Sequence, residues 1–300
     1  DLDTSRGLGD VYKRQINPWA SKLVNFSNKI LDFDILLLLK IIYSKFYNML
    51  INNLNPVAFE IFFIKIHWYS LAYIFGIICG WIYIKKILIK NNIHKIYIDD
   101  LITYLIIGII IGGRLGYVLI YNLKFYLKNP SEIIMIWQGG MSFHGGLIGI
   151  IIATVIFCKK NNLEKYIFLD FIAVAAPIGI FFGRIANFIN SELVGKPTDL
   201  IWGVIFPLVD NIPRHPSQLY EAIFEGIFLF IIMNKIYFSK NYKEGSCSFA
   251  FLIFYGIFRL FSEIFREPDE QIGYIFGSLS MGMLLSILMI FIGILLLRRK

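Results

Sequence analysis

Long apolar runs separated by short polar clusters dominate the chain from residue 69 onward. About 20 apolar residues carry a helix across the hydrocarbon core of a bilayer, where the backbone must satisfy its own hydrogen bonds. On that measure the runs 69–84, 101–121, 143–158, 167–188, 218–234, 247–265 and 275–297 predict seven spanning helices. The predicted fold class is an all-α polytopic membrane protein. The first and third runs are short unless their helices extend past these limits. The connection 190–217 contains Pro197, Pro207, Pro213 and Pro216 and a β-like stretch at 201–206, and is expected to form a small extracytoplasmic cap. Residues 31–43 are apolar but too short for a span, interrupted by Asp34 and Lys40, and without a small-residue cleavage site. Residues 1–15 are polar and Gly-rich, unlike anything downstream, and Met49 is a plausible start. Residues 1–48 are therefore expected to be an extension without a functional role, and 49–300 the working domain.

Charge orients these helices. One set of alternate loops, together with the C-terminal end, holds thirteen basic residues, among them Lys85, Lys86, Lys159, Lys160 and Arg298–Lys300. The opposite set holds six: Lys65, Lys124, Lys128, Lys196, Arg214 and Arg266. The positive-inside rule then puts the C-terminus in the cytoplasm and, with seven spans, residues 49–68 outside. Composition agrees with a membrane location: 57% of residues are hydrophobic, 17% are charged, and mean hydropathy is +0.66, whereas soluble chains are about 25% charged. The net charge of +8 reads as topology, because no basic stretch with interleaved aromatics supports nucleic-acid binding. Cys79, Cys158 and Cys247 lie far apart without metal-ligand spacing and read as packing residues.

Three arginines, Arg114, Arg184 and Arg259, fall inside the predicted spans. Each costs about 2.5–3.5 kcal/mol at a helix centre if it faces lipid, so all three are expected to face a polar interior. Arg114 lies about seven residues from the outer end of its span, on the order of 10 Å at 1.5 Å per residue. Arg184 is one turn from the outer end of the fourth span, and Arg259 two turns below Arg266. Spans one and three run inward and begin near Tyr69 and His144. Topology and spacing alone therefore put these groups in the outer half of the membrane. Arg259, Glu263 and Arg266 share one helical stripe, as do Arg184 and Asn187; Asn190, Glu192 and Gly195 follow in a polar turn. One reading is a structural ion-pair network. The other is a site for an anionic phosphate at headgroup level, since guanidinium forks match phosphate oxygens. His144, beside Gly145 and Gly146, is either a structural histidine or a base near neutral pH.

Six blocks resemble bacterial phosphatidylglycerol–prolipoprotein diacylglyceryl transferases: HWYSLAYIFG (67–76), GGRLGYVLIYN (112–122), QGGMSFHGGLIG (138–149), GRIANFINSELVGKPTD (183–199), RHPSQLYEA (214–222) and FRLFSEIFREPD (258–269). They stand in the family's order, and the family's seven spans and outward N-terminus agree with the charge count. The resemblance implies transfer of a diacylglyceryl group from phosphatidylglycerol to the lipobox cysteine of a prolipoprotein. A thioether forms and glycerol-1-phosphate leaves, at the outer face of the cytoplasmic membrane, with no metal or organic cofactor. It also implies roles for Tyr69, His144, Arg184, Asn187, Glu192, Gly195, Arg259, Glu263 and Arg266. Arg184 would hold the lipid phosphate, and Tyr69 and Asn187 would orient substrate. Asn190 and Arg114 are added as candidate substrate contacts. A free thiol has a pKa of about 8.5, so the reaction needs either a base such as His144 or a positive field such as that of Arg259. The stretch between Gly195 and Arg214 looks short for the family, and the residues before Met49 have no counterpart. A transporter would place its charges nearer the midplane, often on repeated halves. A retinal protein needs a lysine in the seventh span, and an intramembrane serine protease a GxSG motif; both are absent.

Overall fold

A computed structural model describes residues 51–62, 64–89, 92–268, 273–275 and 279–299, so the expectation for residues 1–48 lies outside the described residues. The chain enters through a hairpin, β1 (Val57–Ile61) and β2 (Ile64–His67), paired antiparallel. Helix α1 (Trp68–Tyr83) follows and ends in a π turn, Ile84–Leu88. Next come α2 (Asn92–Ile120), the short α3 (Leu123–Lys128), two 3-10 turns over 130–138, α4 (Phe143–Lys160) and α5 (Lys165–Ile189). A helical run then covers 217–237 as α6 (Ser217–Glu221), a π segment (Ala222–Phe228) and α7 (Leu229–Tyr237). Helix α8 (Ser246–Glu263), a small hairpin of β5 (Tyr274–Ile275) and β6 (Leu279–Ser280), and α9 (Met281–Arg298) complete the membrane body.

Six helices among the described residues are long and apolar enough to cross a membrane: Trp68–Lys86, Lys95–Ile120, Phe143–Lys160, Lys165–Ile189, Ser246–Glu263 and Met281–Arg298. Each coincides with a predicted span, and the first and third do extend past the apolar run. The last begins at Met281 instead of 275, because the start of the apolar run is taken up by the β5–β6 hairpin and Ser280 caps the helix from Met283 N at 3.1 Å. The predicted span 218–234 corresponds to the run broken by the π segment, so neither α part has spanning length by itself.

Where helices cross, glycine lets the backbones touch. Gly108, Gly112 and Gly116 of α2 face Gly145 and Gly149 of α4. A Cβ on Gly149 would stand 2.0 Å from the Gly108 carbonyl oxygen, and one on Gly116 2.6 Å from the Gly145 Cα. Lipid provides no hydrophobic drive between helices, so such close van der Waals approach is what associates them. At the far end of α5 from Arg184, fully buried Asp170 anchors the turn before α8. It accepts hydrogen bonds from the Tyr242 hydroxyl (2.7 Å), Gly245 N (2.6 Å), Ser248 N (2.7 Å) and Ser248 Oγ (2.6 Å). Burial and the adjacent carboxylate push the Tyr242 phenol up, which keeps it a donor.

Residues 197–215 group with the segment ending at Asn53 as a separate compact unit. Its two-stranded β3 (Val204–Ile205) and β4 (Pro213–Arg214) pair antiparallel, and Ile51 bridges Ile205. Arg214 binds Asp210 through Nε (2.9 Å) and Nη2 (2.6 Å) and holds its carboxyl below the usual carboxylate range. The turn 190–196, expected to be part of the cap, belongs instead to the membrane body.

Candidate active site

A buried network of ion pairs joins α5, α6, the π segment and α8. Arg184 on α5 binds Glu221 through Nη1 (2.7 Å) and Glu225 through Nη2 (2.9 Å). Arg259 on α8 binds Glu221 at 2.8 Å, lies 3.6 Å from Glu225, and makes a short contact with Glu263 one turn further along its own helix. Arg266, just past α8, reaches Glu221 at 3.5 Å. Glu221 and Glu225 are fully buried, and Arg259, Glu263 and Arg266 nearly so. Three guanidinium groups thus meet three carboxylates in surroundings of low dielectric constant, where an unpaired charge of either sign would be strongly unfavourable. Glu221 and Glu225 lie four residues apart across the start of the π segment and face the same side. Interrupting a helix this way is common at functional sites.

The network is braced from α9. Ser280 Oγ donates to Glu263 at 2.9 Å. A Cβ on Gly282 would stand 2.4 Å from Glu263 Oε1, so only glycine leaves that carboxylate its place.

The polar turn after α5 is a Schellman end without glycine. Ser191 N donates to Phe188 O (3.1 Å) and Glu192 N to Asn187 O (2.9 Å), with Ser191 left-handed at φ 57°. Leu193 is also left-handed at φ 56°. For residues with a Cβ this conformation costs about 1–2 kcal/mol each. The Glu192 carboxylate folds back to accept from Asn187 Nδ2 (3.2 Å) and Asn190 Nδ2 (3.3 Å). Gly195 bridges Arg266 in antiparallel fashion, and Glu267 N donates to Val194 O, which ties the turn to the arginine end of the network.

His144 enters from α4. Ser142 caps that helix by accepting from Gly145 N, and the Phe143 ring stacks on Tyr255 of α8 at 4.7 Å, one turn before Arg259. Arg259 and Arg184 are the charged groups acting on the imidazole, whose buried Nε2 has no hydrogen-bond partner among the described residues. Ser262 Oγ, Gln218 Oε1 and Asn190 Oδ1 are likewise buried and unpartnered there. Tyr69 stands at the start of α1 and accepts a hydrogen bond from the Tyr73 hydroxyl at 3.3 Å; Arg184 and Glu192 are among the charges acting on Tyr73.

The structure thus brings Arg184, Arg259, Glu263 and Arg266 into one network and Asn187, Asn190, Glu192 and Gly195 into the adjoining turn; Tyr69 and His144 stand on α1 and α4, outside these contacts. Arg114 does not join them. Its guanidinium is buried among backbone carbonyls of Ile133 (2.9 Å), Glu132 (2.6 Å), Gly139 and Gly140, and lies over the Tyr126 ring at 5.1 Å. An intramembrane arginine need not meet an anion, because a loop that presents its carbonyls inward satisfies the guanidinium as well. Sequence reasoning gave no role to Glu221, Glu225, Gln218, Ser280 or Gly282. The signal for the two glutamates was present: carboxylates four apart in an otherwise apolar run, in a chain whose arginines needed counter-charges.

A family model described as prolipoprotein diacylglyceryl transferase matches residues 56–299. The phosphatidylglycerol–prolipoprotein diacylglyceryl transferase of Rickettsia bellii (strain OSU 85-389) is 53% identical over 246 residues, covering 81% of this chain and 94% of the relative. That of Rickettsia typhi is 52% identical over 249 residues (82% and 96%), and that of Wolbachia pipientis wMel 49% identical over 246 residues (81% and 94%). Each element of the arginine–glutamate network falls within the matched region, and this chain belongs to the prolipoprotein diacylglyceryl transferase family.

Proposed function

We propose that the chain transfers the diacylglyceryl group of phosphatidylglycerol to the thiol of a lipobox cysteine, at the outer leaflet of the bacterial cytoplasmic membrane, as the first step of lipoprotein maturation. The observation that carries the site assignment is the buried network of Arg184, Arg259 and Arg266 with Glu221, Glu225 and Glu263, built around two helices, α5 and α8, long and apolar enough to cross a membrane. Counting the π-interrupted run 217–237 as a seventh span restores the alternation of basic and less basic loops and puts the network in the outer half of the bilayer.

In the reaction the cysteine sulfur attacks the carbon of the diacylglyceryl group that bears the phosphate. The carbon–sulfur bond forms as the carbon–oxygen bond breaks, and the leaving group changes from a phosphodiester carrying one negative charge to a monoester that gains a second. A fixed cluster with as many glutamates as arginines does not overbind the incoming anion. Its oriented donors are in place when the second charge develops, which is where electrostatic stabilisation lowers a barrier. Arg184, the most accessible of the three arginines, takes the phosphate. His144 takes the thiol proton: its Nε2 has no hydrogen-bond partner among the described residues, whereas the guanidinium of Arg259 is held by carboxylates. Asn187, Asn190 and Glu192 line the headgroup side, and Tyr69 orients the lipid from α1.

Purified protein is incubated with phosphatidylglycerol vesicles and a lipobox peptide. The expected result is a mass increase of one diacylglyceryl unit on the cysteine, lost in Arg184→Ala protein that still inserts in membranes. Solute flux through proteoliposomes without peptide modification would overturn the assignment, and full activity of Arg184→Ala would overturn its role.

A further inference from the structure

The turn that carries Glu192 is held in place from outside. Its two left-handed residues, Ser191 and Leu193, both carry side chains and are strained by the backbone they adopt. Another element grips the carbonyl of Glu192, between the two, and that of Leu193 itself. Gln218 Nε2 donates to Glu192 O at 2.6 Å, and Ser217 Oγ donates to Leu193 O at 2.9 Å. Ser217 and Gln218 are fully buried and open α6, the helix that also carries Glu221 of the ion-pair network. One rigid element thus fixes both the carboxylate shared by three arginines and the backbone under Glu192.

We infer that Ser217 and Gln218 are positioning residues: together they hold the 190–195 turn in its strained left-handed form, and so hold Glu192 against Asn187 and Asn190 at the site where the phosphatidylglycerol headgroup reacts. This rests on the transferase reading above. Backbone strain persists only where surrounding contacts over-determine it. Without the two side-chain donors the turn relaxes toward right-handed conformers, and Glu192 leaves its place while the ion-pair network stays intact. Glycine at position 193 adopts the left-handed form without strain, so it lessens the need for the clamp.

The test uses the full chain with Ser217→Ala and Gln218→Met, separately and together; methionine keeps the buried volume of Gln218 and removes the donor. Transfer to a lipobox peptide is measured as kcat and KM for phosphatidylglycerol vesicles, and amide hydrogen exchange is followed over 188–196. The double variant is expected to lose tenfold or more in kcat with KM changed less than threefold, and its 190–195 amides are expected to exchange at least tenfold faster while α5 and α8 stay protected. Adding Leu193→Gly is expected to recover kcat at least threefold, and Ser217→Thr, which keeps the hydroxyl, to retain activity within threefold. A double variant with kcat within twofold of the parent, or with unchanged exchange in the turn, overturns the inference, as does failure of Leu193→Gly to rescue. If the double variant does not fold, the single Ser217→Ala protein carries the same comparison, with a threefold loss expected. A parent chain that transfers nothing overturns the reaction itself, and the exchange measurement then decides the clamp alone.

Discussion

Glu221→Gln removes one charge from the centre of the ion-pair network and little else, because the amide keeps the shape of the carboxylate. Glu221 is contacted by Arg184 at 2.7 Å, Arg259 at 2.8 Å and Arg266 at 3.5 Å. At an effective dielectric constant of about 20, contacts near 3 Å each represent about 5–6 kcal/mol of gross attraction. Most of that offsets the cost of taking the groups out of water, and the arginines retain Glu225 and Glu263. The net loss expected from breaking such a buried network is about 3–5 kcal/mol. For a chain of this size that lowers the melting temperature by roughly 6–20 °C. The assay is thermal unfolding in detergent followed with a thiol-reactive dye, since Cys158 and Cys247 are fully buried in the folded state. Asp99→Asn is the control: it breaks the Lys85–Asp99 pair, also short at 2.7 Å but with over half of the carboxylate side chain exposed. Its expected cost is about 0–1 kcal/mol. Similar melting shifts for the two variants, or a Glu221→Gln shift under about 2 °C, would refute the reasoning that burial decides the worth of these pairs.

Three further outcomes are expected. Gly149→Ala drives a methyl group against the Gly108 backbone and should cost about 1–3 kcal/mol in thermal unfolding, whereas Gly179→Ala, with nothing within 4 Å of the new Cβ, should raise stability by about 0.5–1 kcal/mol through helix propensity. Asp170→Asn places an amide nitrogen against donors that the carboxylate now accepts, so the amides of Gly245 and Ser248 should exchange with solvent at least tenfold faster; unchanged protection would show that other contacts hold this turn. The folded carboxyl of Asp210 is held below its ordinary pKa, first by hydrogen bonds from Arg214, so its contribution to the 197–215 unit is complete above that ordinary value of about 4 and is lost as pH falls through the lowered folded value. Fluorescence of Trp202, in that unit, should therefore change between pH 5 and 2 in the parent and lose this transition in Asp210→Asn.

Most of the fold was legible because a bilayer restricts the available structures so severely. Six of the seven predicted spans coincide with helices of spanning length, and the remaining one, 218–234, coincides with the run 217–237. Hydropathy could not show the π segment at Ala222–Phe228, because it depends on how one helix packs and not on how apolar it is. Nor could it show that β5 and β6 take up the start of the last apolar run. Ile275 and Leu279 are as apolar as the helix that follows, and in the sequence Gly277, Ser278 and the N-cap Ser280 mark the boundary.

The site was legible as a cluster but not as a balance of charge. Helical phase put Arg259, Glu263 and Arg266 on one stripe, and the structure has them in one network. Depth counting put Arg114 at the same level, but depth is one coordinate of three, and its side chain turns to the 132–140 loop carbonyls instead. Glu192, counted with the arginines in the sequence, binds two asparagines. The counter-charges come instead from Glu221 and Glu225, and physics demanded them: three arginines sharing a buried volume repel one another strongly unless carboxylates stand between them. Arginines that share one buried volume therefore call for buried acids, whereas one enclosed by loop carbonyls, as Arg114 is, does not, and two glutamates four residues apart in an otherwise apolar run are the first place to look. On the proposed transferase reading, a network with equal numbers of arginines and glutamates contributes most when charge moves onto the leaving phosphate, and a substitution that unbalances it, such as Glu225→Gln, should change kcat more than KM for the lipid.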